Sequence, residues 1–247
     1  VVTLPASQKL ANLPPALEKP VVAVYKFEDL TGQRKSRENL ADFSTAVTQG
    51  ADAFVIDALK TAGRGTWFRV VERKNLENLI KEEFEKKDSD KKLQPLLFAG
   101  IIIDGGIIGY DTNLESGGRG ARYLGIGSSV QYKRDSVIVS LRATSTLTGE
   151  ILLNVQTKKS ILSVGGGYDV FRFVDMDTKL VEIEDGNAFT ESVTYATRAA
   201  IEEAVLELIY QGHDRGYWVI ENGHRHPHQH DGTNDGHSIK GEENEDE

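Results

Sequence analysis

The stretch Leu114–Val174, LESGGRGARYLGIGSSVQYKRDSVIVSLRATSTLTGEILLNVQTKKSILSVGGGYDVFRFV, carries the decisive pattern in this chain. It is too polar for an ordinary core and too regular in its alternation for a loop. From Leu124 to Lys133, the residues Leu124, Ile126, Val130 and Tyr132 fall on one face of a strand, with Ser128 between them. Gly125, Gly127, Ser129, Gln131 and Lys133 fall on the other. One apolar and one small, polar face is the dyad pattern of a transmembrane β-barrel strand, with lipid on one side and a water-filled lumen on the other.

Around this stretch the periodicity predicts a compact α/β domain. Val21–Phe27 reads as a buried strand followed by the turn DLTGQ, and residues 28–42 as a charged loop. A helix is predicted from about Ser44, with Val47, Ala51, Phe54, Val55, Ala58, Leu59 and Ala62 on one face and Gly63 and Gly65 ending it. Trp67–Val71 reads as a short strand. Leu76, Leu79, Ile80 and Phe84 mark a second amphipathic helix, residues 86–92 a charged connection, and Leu93–Phe98 a helical turn. Ile101–Tyr110 is a strand pair or one bent strand around Gly105 and Gly106. Ile151, Leu153 and Val155 form a returning strand after a turn at Leu147–Gly149, and the run Glu150–Phe173 reads as one long extended stretch leaving the domain. The last helix is predicted over Thr190–Tyr210 with Gly212 as its stop, after which Tyr217 and Trp218 add a short strand or pack on the core. Residues 1–20, with four prolines, read as an extended arm, and residues 221–247 as a disordered acidic, His-rich tail.

Residues 124–144 show no strong break, and a strand of that length would span on the order of 65 Å, far beyond the usual five or six residues. Two excursions from the domain are therefore predicted, at 114–134 and 164–188, each long enough for two barrel strands. The domain itself comprises 21–113, 135–163 and 189–220. Four strands cannot close a barrel, and open strand edges cannot sit in lipid with their backbone groups unpaired. A membrane reading thus requires a cyclic homo-oligomer.

Composition narrows the remaining classes. The 247 residues carry a formal charge of −9, which argues against nucleic acid as a partner. There is no cysteine, so disulfide and thiolate chemistry are excluded. No run approaches the roughly 20 apolar residues of a membrane helix. No secretory leader is read at Val1.

The strings PVVAVYKFEDLTGQ (Pro20–Gln33), DFSTAVTQGADA (Asp42–Ala53), VVERKNLENL (Val70–Leu79), GGIIGYDTNLESGGRGARYLGIGSSVQY (Gly105–Tyr132), STLTGEIL (Ser145–Leu152), KKSILS (Lys158–Ser163), VFRFVD (Val170–Asp175) and DRGYW (Asp214–Trp218) carry a collinear resemblance to the curli secretion channel family. The resemblance implies a fold of α+β class: an anticodon-binding-domain-like periplasmic domain with two transmembrane β-hairpins per protomer. Nine protomers would share one outer-membrane barrel in a Gram-negative bacterium. It implies a non-enzymatic pore that exports unfolded, amyloid-forming curlin-like subunits by diffusion, with no cofactor or nucleotide. Periplasmic and surface accessory curli proteins are the further implied partners. The family's lipid-bearing cysteine has no counterpart among these residues.

In that family a loop before the first amphipathic helix narrows the channel, with the pattern Tyr, three residues, Asn, Phe, then STAV. Here Phe43 matches the Phe and Asp42 replaces the Asn. Glu38 falls at the Tyr position, or Asn39 does if the loop is one residue longer. Phe43 reads as a ring of phenyl groups, against the plainer reading of a hydrophobic staple before an N-cap Ser44, where position N4 is Thr48. Glu38 and Asp42 read as negative rings favouring cations, against solvated carboxylates near a helix N-terminus. The lipid-facing set is Leu124, Ile126, Val130 and Tyr132. Gly117–Gly127 lacks both phosphate-loop spacings. His224, His226, His228, His230 and His237 could bind zinc or nickel, though alternating histidines in a flexible acidic tail more often bind adventitiously, and no metal site is assigned. The alternative from another class is a periplasmic envelope lipoprotein acting as a partner-binding module, which has no need of the two hairpins.

Overall fold

The computed structural model of the chain describes residues 4–32, 34–35, 44–45, 50–73, 75–79, 81, 97–116, 131–166, 170–175, 184–186 and 189–221. Seven strands form one sheet in the order β4-β1-β5-β6-β7-β8-β9. They are β1 Val21–Asp29, β4 Arg69–Val71, β5 Ile101–Ser116, β6 Gln131–Ser145, β7 Ile151–Gly166, β8 Val170–Asp175 and β9 Glu184–Gly186. β1 runs parallel to both β4 and β5, and every pairing from β5 to β9 is antiparallel. A parallel pair needs a crossover, and the connection from β1 to β4 includes helix α2, Asp52–Thr61. Two residues each of β2, Arg34–Lys35, and β3, Ser44–Thr45, make a separate small ladder.

The inner face of the long strands is largely apolar, at alternate positions. Val137, Val139, Leu141 and Ala143 of β6 and Leu153, Val155 and Ile161 of β7 are buried. They pack under α3, Phe189–Asp214, whose Val193, Ala196, Ala200, Ile201, Ala204, Val205, Leu208 and Ile209 are also buried. Each Val, Leu or Ile so enclosed contributes roughly 1.5–3 kcal/mol over exposure. Thr157 Oγ1 donates to the Ala200 carbonyl at 2.7 Å and pins helix to strand. The opposite face of the sheet is polar: Arg142 Nη2 lies 2.6 Å from Asp104 Oδ1, and Ser140 Oγ donates to Asn154 Oδ1 at 3.0 Å.

Five expectations need correction. Residues 5–11 of the N-terminal arm form helix α1, with Pro5 in its first turn and Ala6, Ser7 and Leu10 buried, because Leu10 and Leu13 complete the core. The helix predicted from Ser44 begins only at Asp52: Ser44 is in β3, and Gly50 at φ +74° breaks any earlier helical path. Residues 28–29 are not loop but the end of β1. The run Glu150–Phe173 is not one strand, since Gly166 pairs with Val170 and the chain reverses between them. A second reversal joins β8 to the antiparallel β9 within 164–188.

The fifth correction is Gly212, which lies inside α3 and does not stop it. The helix runs to Asp214, and Gly216 at φ +75° donates to the His213 carbonyl at 3.0 Å. Gly212 is small for a packing reason: a Cβ there would fall inside the Trp218 indole. That ring is held by its Nε1–H bond to the Ile209 carbonyl at 2.7 Å and meets Phe68 edge-on at 6.1 Å. β5 passes unbroken through Gly105 and Gly106, β6 is described from Gln131 to Ser145, and residues 76–79 and 81 are helical as read. The long-strand reading over 124–130, the turn before Leu97 and the tail beyond 221 lie outside the described residues.

One buried carboxylate helps to join α3 to α2. Glu202 of α3 is 3% exposed and accepts a bond from Arg198 Nε at 2.9 Å, while Arg198 Nη2 reaches Asp57 of α2 at 3.1 Å. Burial pushes the Glu202 carboxyl above its ordinary range, and the Ser7 hydroxyl of α1 and Arg198 only partly offset it. A raised folded value means that the folded state holds this proton more tightly than the unfolded chain. Its contribution to stability is therefore greatest below the ordinary glutamate range and declines as pH rises from there through the folded value. Glu202→Gln should flatten that decline and raise Tm at neutral pH, read by thermal unfolding across acid to neutral buffers. In the same assay Gly212→Ala should lower stability by about 1–3 kcal/mol, because overpacking against Trp218 outweighs the gain in helix propensity.

Candidate functional site

The loop predicted to carry the site leaves the sheet where β1 ends. Asp29, the last residue of β1, pairs with Ile107 of β5. Its Oδ1 accepts bonds from the Thr31 amide at 2.9 Å and the Thr31 hydroxyl at 2.6 Å, and the Leu30 amide donates to the Ile107 carbonyl at 2.9 Å. The turn is thus fixed to both strands. The chain then enters the small ladder, where Arg34 pairs with Thr45 and Lys35 with Ser44. That ladder brackets residues 36–43 and brings the two ends of the segment together. Glu38, Asn39, Asp42 and Phe43 themselves lie outside the described residues.

Beyond Ile107, β5 continues alone of the two parallel neighbours. It stays paired with β6 from Gly109↔Ile138 to Ser116↔Gln131. The paired strands of the first predicted hairpin therefore rise from the same end of the domain as the bracketed loop. Of the predicted lipid-facing set, Tyr132 is in β6, opposite Glu115 of β5 and Val164 of β7. Leu124, Ile126 and Val130 lie outside the described residues.

Toward the far end of the core, polar side chains join the buried set: Asp135 and Lys159 on the inner face beside Ile161, and Ser136 on the opposite face. Asp135 is fully buried, and Ser136 and Lys159 nearly so. Tyr110 Oη donates to Asp135 Oδ1 at 3.1 Å, the hydroxyls of Ser136 and Ser160 lie 2.8 Å apart, and Lys159 Nζ is 3.9 Å from Glu203 Oε2 on α3. Burial first, then the charge of Asp135, pushes the Tyr110 phenol up to about 12. Tyr110 is therefore a neutral donor throughout the physiological range, suited to holding a strand and not to moving a proton. Sequence reading passed over this belt. Its signal was present: Asp135 shares the parity of Val137, Val139 and Leu141 and so had to face the core.

Among the described residues, no group of three or more His, Cys, Asp or Glu side chains is placed to hold a metal ion. His213 accepts a bond from the Ile220 amide through Nδ1 at 3.3 Å; the histidines of the tail and residues 117–127 lie outside the described residues. No helix among the described residues is long and apolar enough to cross a membrane, which says nothing of strands.

Comparison with known proteins gives a consistent answer. Residues 3–236 match the family model described as curli production assembly/transport component CsgG. Curated proteins of that description from Salmonella typhimurium, Escherichia coli K12 and Citrobacter koseri are each 41% identical over 223 residues, covering 86% of this chain and 79% of theirs. The family is one of transport and assembly components and not a family named for an enzymatic activity. With its mixed α/β sheet and a match over nearly its whole length, the chain belongs to the CsgG family of curli production assembly/transport components.

Proposed function

We propose that this chain is one protomer of a secretion pore in the outer membrane of a Gram-negative bacterium, through which unfolded curlin-like subunits diffuse without catalysis or nucleotide. The α/β domain, of anticodon-binding-domain-like type, stands in the periplasm. Segments 114–134 and 164–188 contribute four strands to a barrel of about 36 shared by a nine-fold ring. Leu124, Ile126, Val130 and Tyr132 face lipid on the first hairpin. Accessory curli proteins act at the periplasmic mouth and at the cell surface. The observation that carries the reading is positional: the β2–β3 ladder that brackets residues 36–43 and the paired strands leading into 114–134 depart from one end of the sheet. A ring of such domains sets the bracketed loops at the mouth of the barrel that the hairpins build.

In that arrangement Phe43 forms an aromatic ring that narrows the channel, flanked by Asp42 and by Glu38 or Asn39. Rings of carboxylate favour cations. Phe43→Ala should raise single-channel conductance of the detergent-purified particle in planar bilayers, and unchanged conductance refutes the constriction. Asp42→Asn should lower the cation-to-anion permeability ratio in the same recordings; an anion-selective parent channel that the substitution leaves unaltered refutes the negative ring. A chain that needs no detergent, runs at protomer mass and conducts nothing would instead fit a periplasmic binding module.

A further inference from the structure

β5 and β6 do not hold one register along their length. Ile107 pairs with Val139, but Gly109 pairs with Ile138, so Ile108 is one extra residue on β5. This bulge separates the half of the ladder inside the domain from the half that leads into 114–134. A bulge is a local choice, and the ladder has a competing arrangement without it. Extending the pairing of the domain half unchanged would set Ile108 opposite Ile138, a favourable aliphatic pair across the strands. It would also set Tyr110 opposite Ser136 and Asp135 opposite Asp111. Because side chains alternate with a period of two, that single-residue shift turns every residue of β5 beyond the bulge to the other face.

We propose that the buried hydrogen bond from Tyr110 to Asp135 is the key that holds this bulge, and so decides which face of the first hairpin meets lipid and which meets the lumen. Tyr110 is the first buried polar side chain on β5 past the bulge, and its partner strand residue is Val137, on the inner face. Its 3.1 Å bond to the fully buried Asp135 forms only when both side chains point inward. Without the bulge, Tyr110 points outward, the bond is lost, and two aspartates stand directly opposite each other. Gly109 leaves the bulge room: a Cβ there would meet the Ile138 side chain at 3.0 Å. Tyr110 and Asp135 are in this sense positioning residues for the pore.

The inference rests on the hairpin reading above, but its test reads register and not transport. The chain has no cysteine, so paired thiols can be introduced without background. Ser116→Cys with Gln131→Cys reports the bulged register, and Ser116→Cys with Val130→Cys the bulge-free one, each as disulfide yield on mild oxidation of the full chain in detergent. In the otherwise native chain the first pair should dominate. Tyr110→Phe or Asp135→Leu should shift the ratio of yields toward the second pair on the order of tenfold. Asp135→Asn, which keeps an acceptor for the Tyr110 hydroxyl, should retain the native ratio. Val137→Ala, which lowers stability by removing volume alone, should also leave it unchanged. A ratio unmoved by Tyr110→Phe and Asp135→Leu, or moved equally by Val137→Ala or Asp135→Asn, overturns the assignment. A parent that conducts nothing but shows these ratios would refute the pore and leave the register key standing.

Discussion

The packing of α3 on the inner faces of β6 and β7 is the contact on which the rest of the molecule depends. α3 has 26 residues and so spans about 39 Å. β5 and β7 have 16 residues each and β6 has 15, about 50 Å of strand. A helix shorter than the strands beneath it cannot cover them throughout. The small residues Ala196, Ala200 and Ala204 bring α3 close to the sheet, and Thr157 fixes its position along the strand. The core is therefore densely closed over one part of the ladder, and the strands run on past it still paired with one another. This overhang gives the long segments a rigid root, and it does so without any special element at the junction.

The constraint also explains where polar groups are buried. Beneath α3 the sheet presents mainly Val, Leu and Ala from β6, and Leu and Val from β7, with Thr157 as the polar exception bonded to the Ala200 carbonyl. Toward the overhang stand Asp135, Ser136 and Lys159, each with a partner across the ladder or on the helix. A buried polar group is costly unless it is paired, so each of these accepts few geometries, whereas an apolar contact accepts many. Concentrating them at one level makes the core responsible for adhesion and the belt responsible for register. Glu202, with Arg198 and Asp57, plays the corresponding part on the helical side, binding α3 to α2 across the layer.

Much of this was legible in the sequence, for physical reasons that differ between elements. The period-two patterns at Val137–Leu141 and Ile151–Val155 and the long helical pattern after Thr190 reported burial directly, and these elements stand where they were read. Boundaries were less legible because they turn on single backbone positions. Gly212 reads as a helix stop only until Trp218 is seen lying on it, and the true terminator, Gly216, is four residues further along. Ser44 reads as a helix cap because Ser is a good one, but pairing with Lys35 claims it first. α1 was missed because seven residues are too few to show a period, and its stability comes from the core it covers. Of the candidate site, the sequence supplied the segment and its residue types, and the fold supplied the location of its two ends.

In the shared barrel proposed for this chain, local register becomes a global quantity. Strand number, stagger and tilt are mutually dependent in a closed barrel, so a shift of one residue between two strands cannot be absorbed locally. In a ring of identical protomers the same shift recurs once per subunit, and either every hairpin agrees or the wall does not close. Closure therefore demands that register be fixed inside each protomer before neighbours meet. The glycine- and serine-rich faces of residues 117–130 are poorly suited to do this, since small polar side chains specify pairing weakly. The determinant has to lie further back, where side chains are large and buried. Among the described residues, the bulge at Ile108 and the bond between Tyr110 and Asp135 lie at that point, between the packed core and the strands that depart from it.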